Sequence, residues 1–400
     1  MNIAVNRLIL KRFLSIPSEG ISFDNPTFLV GRNGTGKSNI CKAFRVLSEA
    51  MNLPLQAVFD GLGGISAVRN RTSGQSFPPN LGMGIIFGAF NGMKSGRFAF
   101  EIKALPKYSF EVIREQCEVV DAEGKMYWYD RKKKTFDTNA KGLMPAIDPA
   151  SLCLPVVGGD ARFAPAVKAL TSIRVYSIEP TRLREMQDPD SGMALRGDGS
   201  NAASVLKEIS RSTEQLERIN ESLASIVPNT CQVIPKKHGN KLSLEFTQEW
   251  ESSKFHKKAN MKFEAFNMSD GTLRALGLLM AVYQRPQPAL LIIEEPEATI
   301  HPGALGAILD LIRVASRSMQ VIITTHSPEL LDVKWIKDDH LRIVTWHEGA
   351  TRVFPPSEES RKAMRDHLMG AGELLRSNAL EPEDLFKEDI NQEELFEERI

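Results

Sequence analysis

An octapeptide near the N-terminus has the residue types and the spacing of a phosphate-binding loop. Residues 31–38 read Gly-Arg-Asn-Gly-Thr-Gly-Lys-Ser and fit the pattern G-x-x-x-x-G-K-[S/T]. An apolar run, 28–30, precedes the loop and a helical pattern, 39–51, follows it. Glycines in a strand–loop–helix let successive backbone N–H groups converge on one anion at a helix N-terminus. The alternative is a glycine-rich turn before a helix, but both flanks favour a nucleotide site.

The motif assigns a role to the individual loop residues. Lys37 is expected to neutralise the β- and γ-phosphates, and the Ser38 hydroxyl to be a ligand of Mg²⁺. Arg12, just after a strand predicted over 3–10, is a further candidate for the phosphates or the base, with a solvated strand-edge charge as the alternative. The remaining predicted ATP-binding residues are Asn33, Gly34, Thr35 and Gly36.

Two adjacent carboxylates end an apolar run in the C-terminal half of the chain. Residues 290–293 are Leu-Leu-Ile-Ile, followed by Glu294 and Glu295. A buried parallel strand has this composition, and ligands bind beyond the carboxyl ends of such strands. Glu294 is predicted to hold Mg²⁺ through water, and Glu295 to orient and deprotonate the attacking water. The alternative is a strand that simply ends in charge.

A second helix start offers another anion site. Ser269, Asp270 and Gly271 precede a helix predicted over 273–283. A plain N-cap is the alternative. Because the glycine loop already holds phosphates within the chain, we interpret the second start, together with the downstream Glu pair, as serving the nucleotide of another protomer.

Two single residues complete the candidate site. His326 follows the strand predicted over 321–325, where a neutral imidazole can hydrogen-bond the γ-phosphate or the attacking water. A structural histidine is the alternative. Gln187 follows a strand predicted over 172–178 and is a weak candidate for sensing the γ-phosphate through Mg²⁺, with an exposed loop glutamine as the alternative.

Composition excludes several classes of protein. The chain has 400 residues, 42% of them apolar, and 50 acidic residues balance 50 basic ones. A chain of this length and apolar content can form one elaborated domain or two. Because its charges balance, no overall electrostatic field indicates binding to nucleic acid or membrane. The four cysteines lack a C-x-x-C pair, which argues against a zinc knuckle or a disulfide framework. No stretch approaches the roughly 20 apolar residues of a membrane-spanning helix. A cytoplasmic location without membrane contact is predicted.

The remaining segments are a β-like region, an irregular region and an acidic tail. Short apolar or alternating runs between 83 and 138 predict antiparallel hairpins, and a basic run, 131–134, at one turn is either solvated or contacts a phosphate backbone. Prolines predict irregular structure over 139–172. In the tail, Glu-Asp-Leu-Phe at 383–386 and Glu-Glu-Leu-Phe at 393–396 repeat a Leu–Phe pair. The alternatives are docking onto a basic groove and a frayed terminus.

Together these motifs resemble the ABC-type ATPases of the RecF/SMC/OLD group, catalogued as AAA-family ATPases of the AAA_21 or AAA_15 kind. Residues 31–38 look like the Walker A loop, 268–274 like the signature loop, 294–302 like Walker B with the D-loop, and 325–328 like the switch region. The resemblance covers roughly 1–60 and 173–335. It implies an α/β P-loop NTPase of the ABC-ATPase head type, with a mixed central sheet, an antiparallel β layer and a helical lobe.

The resemblance also implies cofactors and partners. ATP and Mg²⁺ are expected, in a head-to-tail homodimer or higher oligomer that sandwiches ATP between one protomer's glycine loop and the other's Ser269–Gly271. The predicted divisions are 1–60 and 173–355 for the two halves of the ATPase, 61–172 for an inserted β-rich lobe and linker, and 356–400 for a C-terminal helix and acidic tail.

Departures from the family pattern narrow the function. No long coiled coil separates the halves, and only about 70 residues follow His326, too few for the TOPRIM nuclease of OLD relatives. The resemblance therefore favours an ATPase sensor or scaffold that works with a separate effector, a nuclease or toxin, in bacterial anti-phage defence, with the tail, 381–400, as a candidate docking segment. The alternatives are a RecF/SMC-like recombination-repair ATPase acting directly on DNA and an assembly scaffold with little turnover. Nucleic-acid binding is left open.

Overall fold

The computed structural model describes residues 4–70, 78–252, 257–383 and 394–398. At positions 252, 257 and 258 it describes the backbone only. The described chain forms two compact units. Unit 1 comprises residues 1–174 together with 334–400, and unit 2 comprises residues 175–333. The glycine loop belongs to unit 1, whereas the Glu pair, the second helix start and His326 belong to unit 2.

The elements are numbered in chain order. Those up to the first unit boundary are β1 (Val5–Phe13), β2 (Ile16–Ser22), β3 (Thr27–Val30), α1 (Lys37–Glu49), α2 (Leu55–Asp60), α3 (Ile65–Val68), β4 (Asn80–Phe87), β5 (Met93–Ala104), β6 (Phe110–Asp121), β7 (Met126–Lys132), β8 (Thr135–Thr138), α4 (Leu154–Val157), α5 (Ala164–Thr171) and β9 (Ile173–Tyr176).

The next elements, all in unit 2, are α6 (Pro180–Arg184), α7 (Ala202–Ile209), α8 (Thr213–Ile226), β10 (Thr230–His238), β11 (Lys241–Ser252), β12 (Lys257–Glu264), α9 (Asp270–Tyr283), β13 (Leu290–Glu294), α10 (Leu305–Ala315), β14 (Gln320–Thr325) and α11 (Pro328–Leu331). The last elements return to unit 1 and are β15 (Leu341–His347), β16 (Ala350–Phe354), α12 (Glu358–Arg365) and α13 (Ala371–Arg376). Short 3₁₀ helices occupy Ala265–Asn267, Pro302–Ala304 and Asp338–His340.

Unit 1 is built on a seven-stranded antiparallel sheet in the order β2-β1-β4-β5-β6-β7-β8. The hairpins predicted between 83 and 138 are therefore present. Their strands continue the sheet that β1 and β2 begin, because β4 pairs antiparallel with β1. The strands placed in an inserted lobe at 61–172 thus share one sheet with strands of the predicted N-terminal half. In the same unit β15 pairs parallel with β3 and antiparallel with β16.

Unit 2 contains a three-stranded antiparallel sheet, β10-β11-β12, and the parallel pair β13–β14. The apolar residues of β13 and all six residues of β14 are buried. This continuous burial explains why neither strand alternates between polar and apolar residues, as expected for parallel strands covered on both faces. Within the described residues, no helix combines the length and the apolar character needed to cross a membrane.

The segment 139–172 differs from the irregular structure that we expected. It contains the short helices α4 and α5, each with a proline in its first turn. Proline is tolerated there because the first N–H groups of a helix have no intrahelical partner. The prolines of this segment therefore mark helix starts as well as breaks.

A buried ion pair fastens the same segment to the large sheet. The side chains of Glu115 on β6 and Arg131 on β7 are fully buried, with Oε2 and Nη1 3.5 Å apart. The Glu115 carboxylate also accepts hydrogen bonds from the backbone N–H groups of Cys153 (2.6 Å) and Leu154 (2.8 Å). Arg131 donates to the carbonyl of Asp148 at 2.7 Å. Arg131, the first residue of the basic run 131–134, is therefore a core residue and is not accessible to a phosphate backbone.

Candidate functional site in two half-sites

The glycine loop of unit 1 connects the buried strand β3 to helix α1. Gly36 is the N-cap of α1 with φ of +103°, and Lys37 and Ser38 are the next two residues. A Cβ at position 36 would lie 2.0 Å from Oγ1 of Thr351, so the loop requires glycine both for its conformation and for space. The N-terminus of a helix carries partial positive charge from the helix dipole and binds anions through its backbone N–H groups. The loop is thus shaped to receive an anion.

Lys37 is buried and its ammonium group lies within the loop. Nζ donates hydrogen bonds to the carbonyls of Gly31 (2.7 Å) and Arg32 (3.0 Å). The side chain of Lys37 is therefore held at the loop, where its charge would meet a phosphate bound to the backbone amides. Ser38 is exposed, and its hydroxyl fits Mg²⁺, which prefers oxygen ligands and keeps several waters.

The loop is braced by residues that the sequence did not single out. Thr351 of β16, which is fully buried, donates its hydroxyl to the carbonyl of Thr35 at 2.8 Å. The same hydroxyl lies 2.6 Å from Oγ of Ser15, which accepts a hydrogen bond from Nδ2 of Asn39 at 2.6 Å. Thus Thr351 and Ser15 connect the middle of the loop to the first turn of α1. A threonine 316 residues away in sequence gives no local signal of this role.

We expect Thr351→Val to weaken nucleotide binding without unfolding the protein. Valine keeps the shape of the side chain but removes the hydrogen bond to Thr35, a net contribution of about 1 kcal/mol. The Kd for ATP, measured by calorimetry, should rise roughly fivefold. Thr345→Val on β15 is the matched control because its buried hydroxyl has no hydrogen-bond partner among the described residues. Equal affinities in the two variants would contradict a bracing role for Thr351.

Arg12 is exposed and has a left-handed backbone conformation, with φ of +59°. It lies in β1, three residues before Ser15, and its carbonyl accepts a hydrogen bond from the N–H of Asn70. Asn33 and Gly34, at the tip of the loop, are also exposed. The ATP contacts of these three residues stay predictions.

In unit 2 the two carboxylates stand where β13 ends. Glu294 pairs in register with Thr324 of β14. The backbone of Glu295 turns there, with φ of +45°, and its N–H donates to both the carbonyl and the hydroxyl of Thr324, each at 3.1 Å. This turn lies at the carboxyl end of the parallel strand pair, where the sequence placed the acids.

A third carboxylate joins the two strand ends and was missed by the sequence reasoning. Glu297 is 8% exposed, and its Oε1 accepts hydrogen bonds from the Thr325 hydroxyl (2.7 Å) and the His326 N–H (3.3 Å). Nδ1 of His326 lies 3.4 Å from Oε1 of Glu295 and 3.7 Å from Oε1 of Glu297. The structure therefore brings together Glu295 and His326, both predicted, and shows that Glu297 positions the histidine. The signal was the Glu-Pro-Glu run at 295–297.

The second helix start is an N-cap that packs against the turn after the Glu pair. The hydroxyl of Ser269 accepts a hydrogen bond from the N–H of Thr272 at 3.2 Å, so α9 begins at Asp270, three residues earlier than expected. A Cβ on Gly271 would lie 2.7 Å from the carbonyl of Thr299. Ser269 and Asp270 are exposed, and Asp270 pairs with Arg184. The plain N-cap alternative is thus present, and contact with a partner's nucleotide stays a prediction.

Arg274, one turn into α9, faces the same acidic turn. Its Nη1 donates to the carbonyl of Ala298 at 3.4 Å. Burial lowers the pKa of the Arg274 guanidinium, and the carboxylates of Glu295 and Glu297 oppose that shift. The arginine therefore supplies positive charge beside the carboxylates at the end of β13.

Gln187 differs from both of the roles that we considered for it. It is 4% exposed, and its Nε2 donates to the carbonyl of Arg182 at 2.9 Å. Its Oε1 accepts a hydrogen bond from the N–H of Ala203 at 2.8 Å, at the start of α7. Both the nitrogen and the oxygen of the side-chain amide are hydrogen-bonded within the protein, so Gln187 has a structural role. We no longer assign it to the magnesium site.

The fold agrees with that of solved SMC head domains. An SMC head solved with the C-terminal winged-helix domain of ScpA has a TM-score of 0.55 at 17% identity, covering 90% of this chain and 99% of that chain. An SMC head with an extended coiled coil, solved with the C-terminal domain of ScpA from Pyrococcus furiosus, has a TM-score of 0.55 at 15% identity, covering 91% and 99%. At these identities the likeness shows the fold alone, and it confirms the predicted class of mixed α/β P-loop NTPase.

The family is shown by the sequence itself. Residues 27–332 match the family described as "AAA domain, putative AbiEii toxin, Type IV TA system" (AAA_21). This match spans more than half of the chain, so the chain belongs to this family of AAA-type ATPases. A comparison with curated proteins found no significant match.

Proposed function

We propose that this protein binds ATP with Mg²⁺ and hydrolyses it to ADP and phosphate. The observation that carries the proposal is the glycine loop of unit 1, which places the Lys37 ammonium and the Ser38 hydroxyl at the N-terminus of α1. A phosphate chain bound there meets converging backbone amides and one fixed positive charge. Membership of an AAA-type ATPase family supports the same reaction.

In the proposed mechanism the chain supplies binding, orientation and a proton acceptor. Lys37 and the loop amides neutralise the β- and γ-phosphates, while Ser38 and, through water, Glu294 would hold Mg²⁺. Glu295 accepts a proton from the attacking water. His326, fixed through Glu297, hydrogen-bonds that water or the γ-phosphate. Mg²⁺, when bound, stabilises the negative charge that develops on the transferred phosphoryl group.

We further propose that two protomers close around ATP, with Ser269 to Gly271 of one facing the nucleotide of the other. The support is the exposure of Ser269 and Asp270 at a helix N-terminus and the sequence resemblance to ABC-type heads. The cellular role that fits best is an ATPase sensor or scaffold working with a separate effector in anti-phage defence. The family description, which names a toxin of a type IV toxin–antitoxin system, supports a two-component system.

One set of measurements tests the reaction and its rivals. The wild-type protein should bind ATP by calorimetry and release phosphate only with Mg²⁺, and light scattering should show dimers that require ATP. Lys37→Ala should abolish binding, whereas Lys168→Ala, at an exposed position of α5, should not. Wild-type protein that fails to bind ATP would refute the proposal. Turnover strongly stimulated by DNA would instead favour the recombination-repair alternative, and tight binding without turnover the scaffold.

A further inference from the structure

The C-terminal segment 394–398 lies on the seven-stranded sheet of its own unit. Leu395 is 3% exposed and Phe396 is 8% exposed, and both belong to a buried cluster with Ile9 of β1 and Ala99 of β5. The second Leu–Phe pair of the tail therefore lies on the chain itself, whereas the sequence left docking onto a basic groove and a frayed terminus as the alternatives. Residues 384–393, with the first Leu–Phe pair, lie outside the described residues.

Two glycines of β4 form the slot that receives Leu395. A Cβ on Gly82 would lie 2.4 Å from Cδ2 of Leu395, and its next contact outside Leu395 would be the carbonyl of Phe100 at 3.6 Å. A Cβ on Gly84 would lie 3.0 Å from Cδ1 of Leu395. The missing side chains at these two positions thus make room for one leucine.

Polar groups at the slot bind the backbone of the segment. The side-chain amide of Gln116 accepts from the N–H of Glu397 and donates to its carbonyl, both at 3.0 Å. Arg97 donates to the carbonyl of Glu394 at 2.5 Å. Paired contacts of this kind hold an extended peptide in one register.

Arg97 and Arg114 contact the side chains of the C-terminal segment. Nη1 of Arg97 lies 3.0 Å from Oε1 of Glu397. The guanidinium carbon of Arg114 lies 4.5 Å from the centre of the Phe396 ring, a cation–π contact. The surface formed by Gly82, Gly84, Arg97, Arg114 and Gln116, here named the Leu–Phe groove, therefore favours an aromatic residue between acidic ones.

We propose that the Leu–Phe groove is a peptide-docking site for a partner protein with an acidic Leu–Phe segment, and that residues 394–398 are its built-in competitor. The seated segment shows which chemistry the groove accepts. The contacts at its charged ends are weakly protected, since the Glu397 side chain is 55% exposed. A pocket of about 580 Å³ beside Phe396, lined by Ile86, Arg97 and residues of the segment, leaves one side of the seated segment open to solvent.

The test uses a fluorescein-labelled peptide of residues 391–398 and the full-length protein. A variant with Leu395→Ser and Phe396→Ser should leave the groove open and bind the peptide at least about tenfold more tightly than wild type, because the tethered segment competes at high effective concentration. A peptide with serine at both positions should not bind. Fluorescence anisotropy measures both affinities.

Changes in the groove test its specificity. Adding Gly82→Ala to the open variant should weaken binding, because the new Cβ takes space in the leucine slot and the leucine side chain must shift. Gly306→Ala, where a Cβ would meet no atom of the described part of the chain within 4 Å, is the matched control. In the open background Arg97→Glu should weaken binding of the natural peptide, and a peptide with arginine in place of Glu397 should regain it.

Two outcomes would overturn the proposal. Equal binding of the natural and serine peptides, or binding unaffected by Gly82→Ala, would show that the segment is only a structural clasp. A wild-type dimer that dissociates on Leu395→Ser and Phe396→Ser would show that the groove takes the tail of a second copy. Thermal melting of each variant distinguishes loss of the groove from loss of the fold.

Discussion

Replacing Glu295 by glutamine is expected to lower ATP turnover by about 10²- to 10⁴-fold, the usual contribution of a positioned general base. Glutamine preserves the size of the side chain and keeps Oε1 as an acceptor near Nδ1 of His326, 3.4 Å away in the wild type. It cannot take a proton from water. Binding of ATP should therefore persist while hydrolysis stops, and ATP-bound dimers should accumulate.

Phosphate release and ATP binding must be measured on the same preparation. Glu217→Gln provides a matched control, since it makes the same change at an exposed position of α8 in the same unit. Turnover within about threefold of wild type in Glu295→Gln would remove Glu295 from the mechanism. A wild type without turnover, unchanged in its cellular activity by Glu295→Gln, would identify a scaffold.

The elements around the glycine loop and the Glu pair were predictable because their signals are local. Glycine spacing, an apolar strand and a following helix appear within a few residues, and β3, the loop and α1 occur where they predict. The bracing of the loop was not predictable. Thr351 reaches Thr35 only because β15 pairs with β3 and carries β16 beside it, and such pairing across more than 300 residues leaves no local pattern.

Burial was harder to predict than secondary structure. The basic run 131–134 reads as one exposed turn, yet Arg131 is fully buried whereas the lysines that follow it are exposed. The sequence does not show that Glu115 lies opposite it, because that register is set by the pairing of β6 with β7. Gln187 likewise reads as a loop residue, but its amide holds the start of α7. The burial of polar residues was predicted wrongly where residues distant in sequence supply their hydrogen-bond or ion-pair partners.

The buried pair gives the largest expected effect on stability. Arg131→Met should lower the free energy of unfolding by about 3–5 kcal/mol, because Glu115 would remain buried without its counter-charge. Both side chains have no exposed surface in the wild type. Thermal or urea unfolding measures the loss. Arg218→Met removes an exposed pair with Glu214 and should stay close to wild type.

The pH dependence of this loss distinguishes an uncompensated charge from poor packing. Burial raises the pKa of Glu115, and the N–H groups of Cys153 and Leu154, the Tyr129 hydroxyl and Arg131 oppose that shift. Removing Arg131 raises the pKa further. An acid with a raised pKa in the folded state stabilises the fold below its unfolded pKa of about 4.3, and that stabilisation is lost as the pH rises. The deficit of Arg131→Met should therefore be largest near neutral pH and shrink as the pH falls towards the unfolded pKa.

A second substitution separates the effect of the buried charge from that of packing. Adding Glu115→Gln to Arg131→Met removes the ionisable group, so the double variant should recover part of the lost stability at neutral pH. Its stability relative to wild type should also lose the strong improvement at low pH that we expect of the single variant. If both variants instead show the same deficit at every pH, the role of Arg131 is one of packing and hydrogen bonding to the segment 148–154. In either case the sheet that carries the Leu–Phe groove depends on an arginine that the sequence presents as part of a solvated turn.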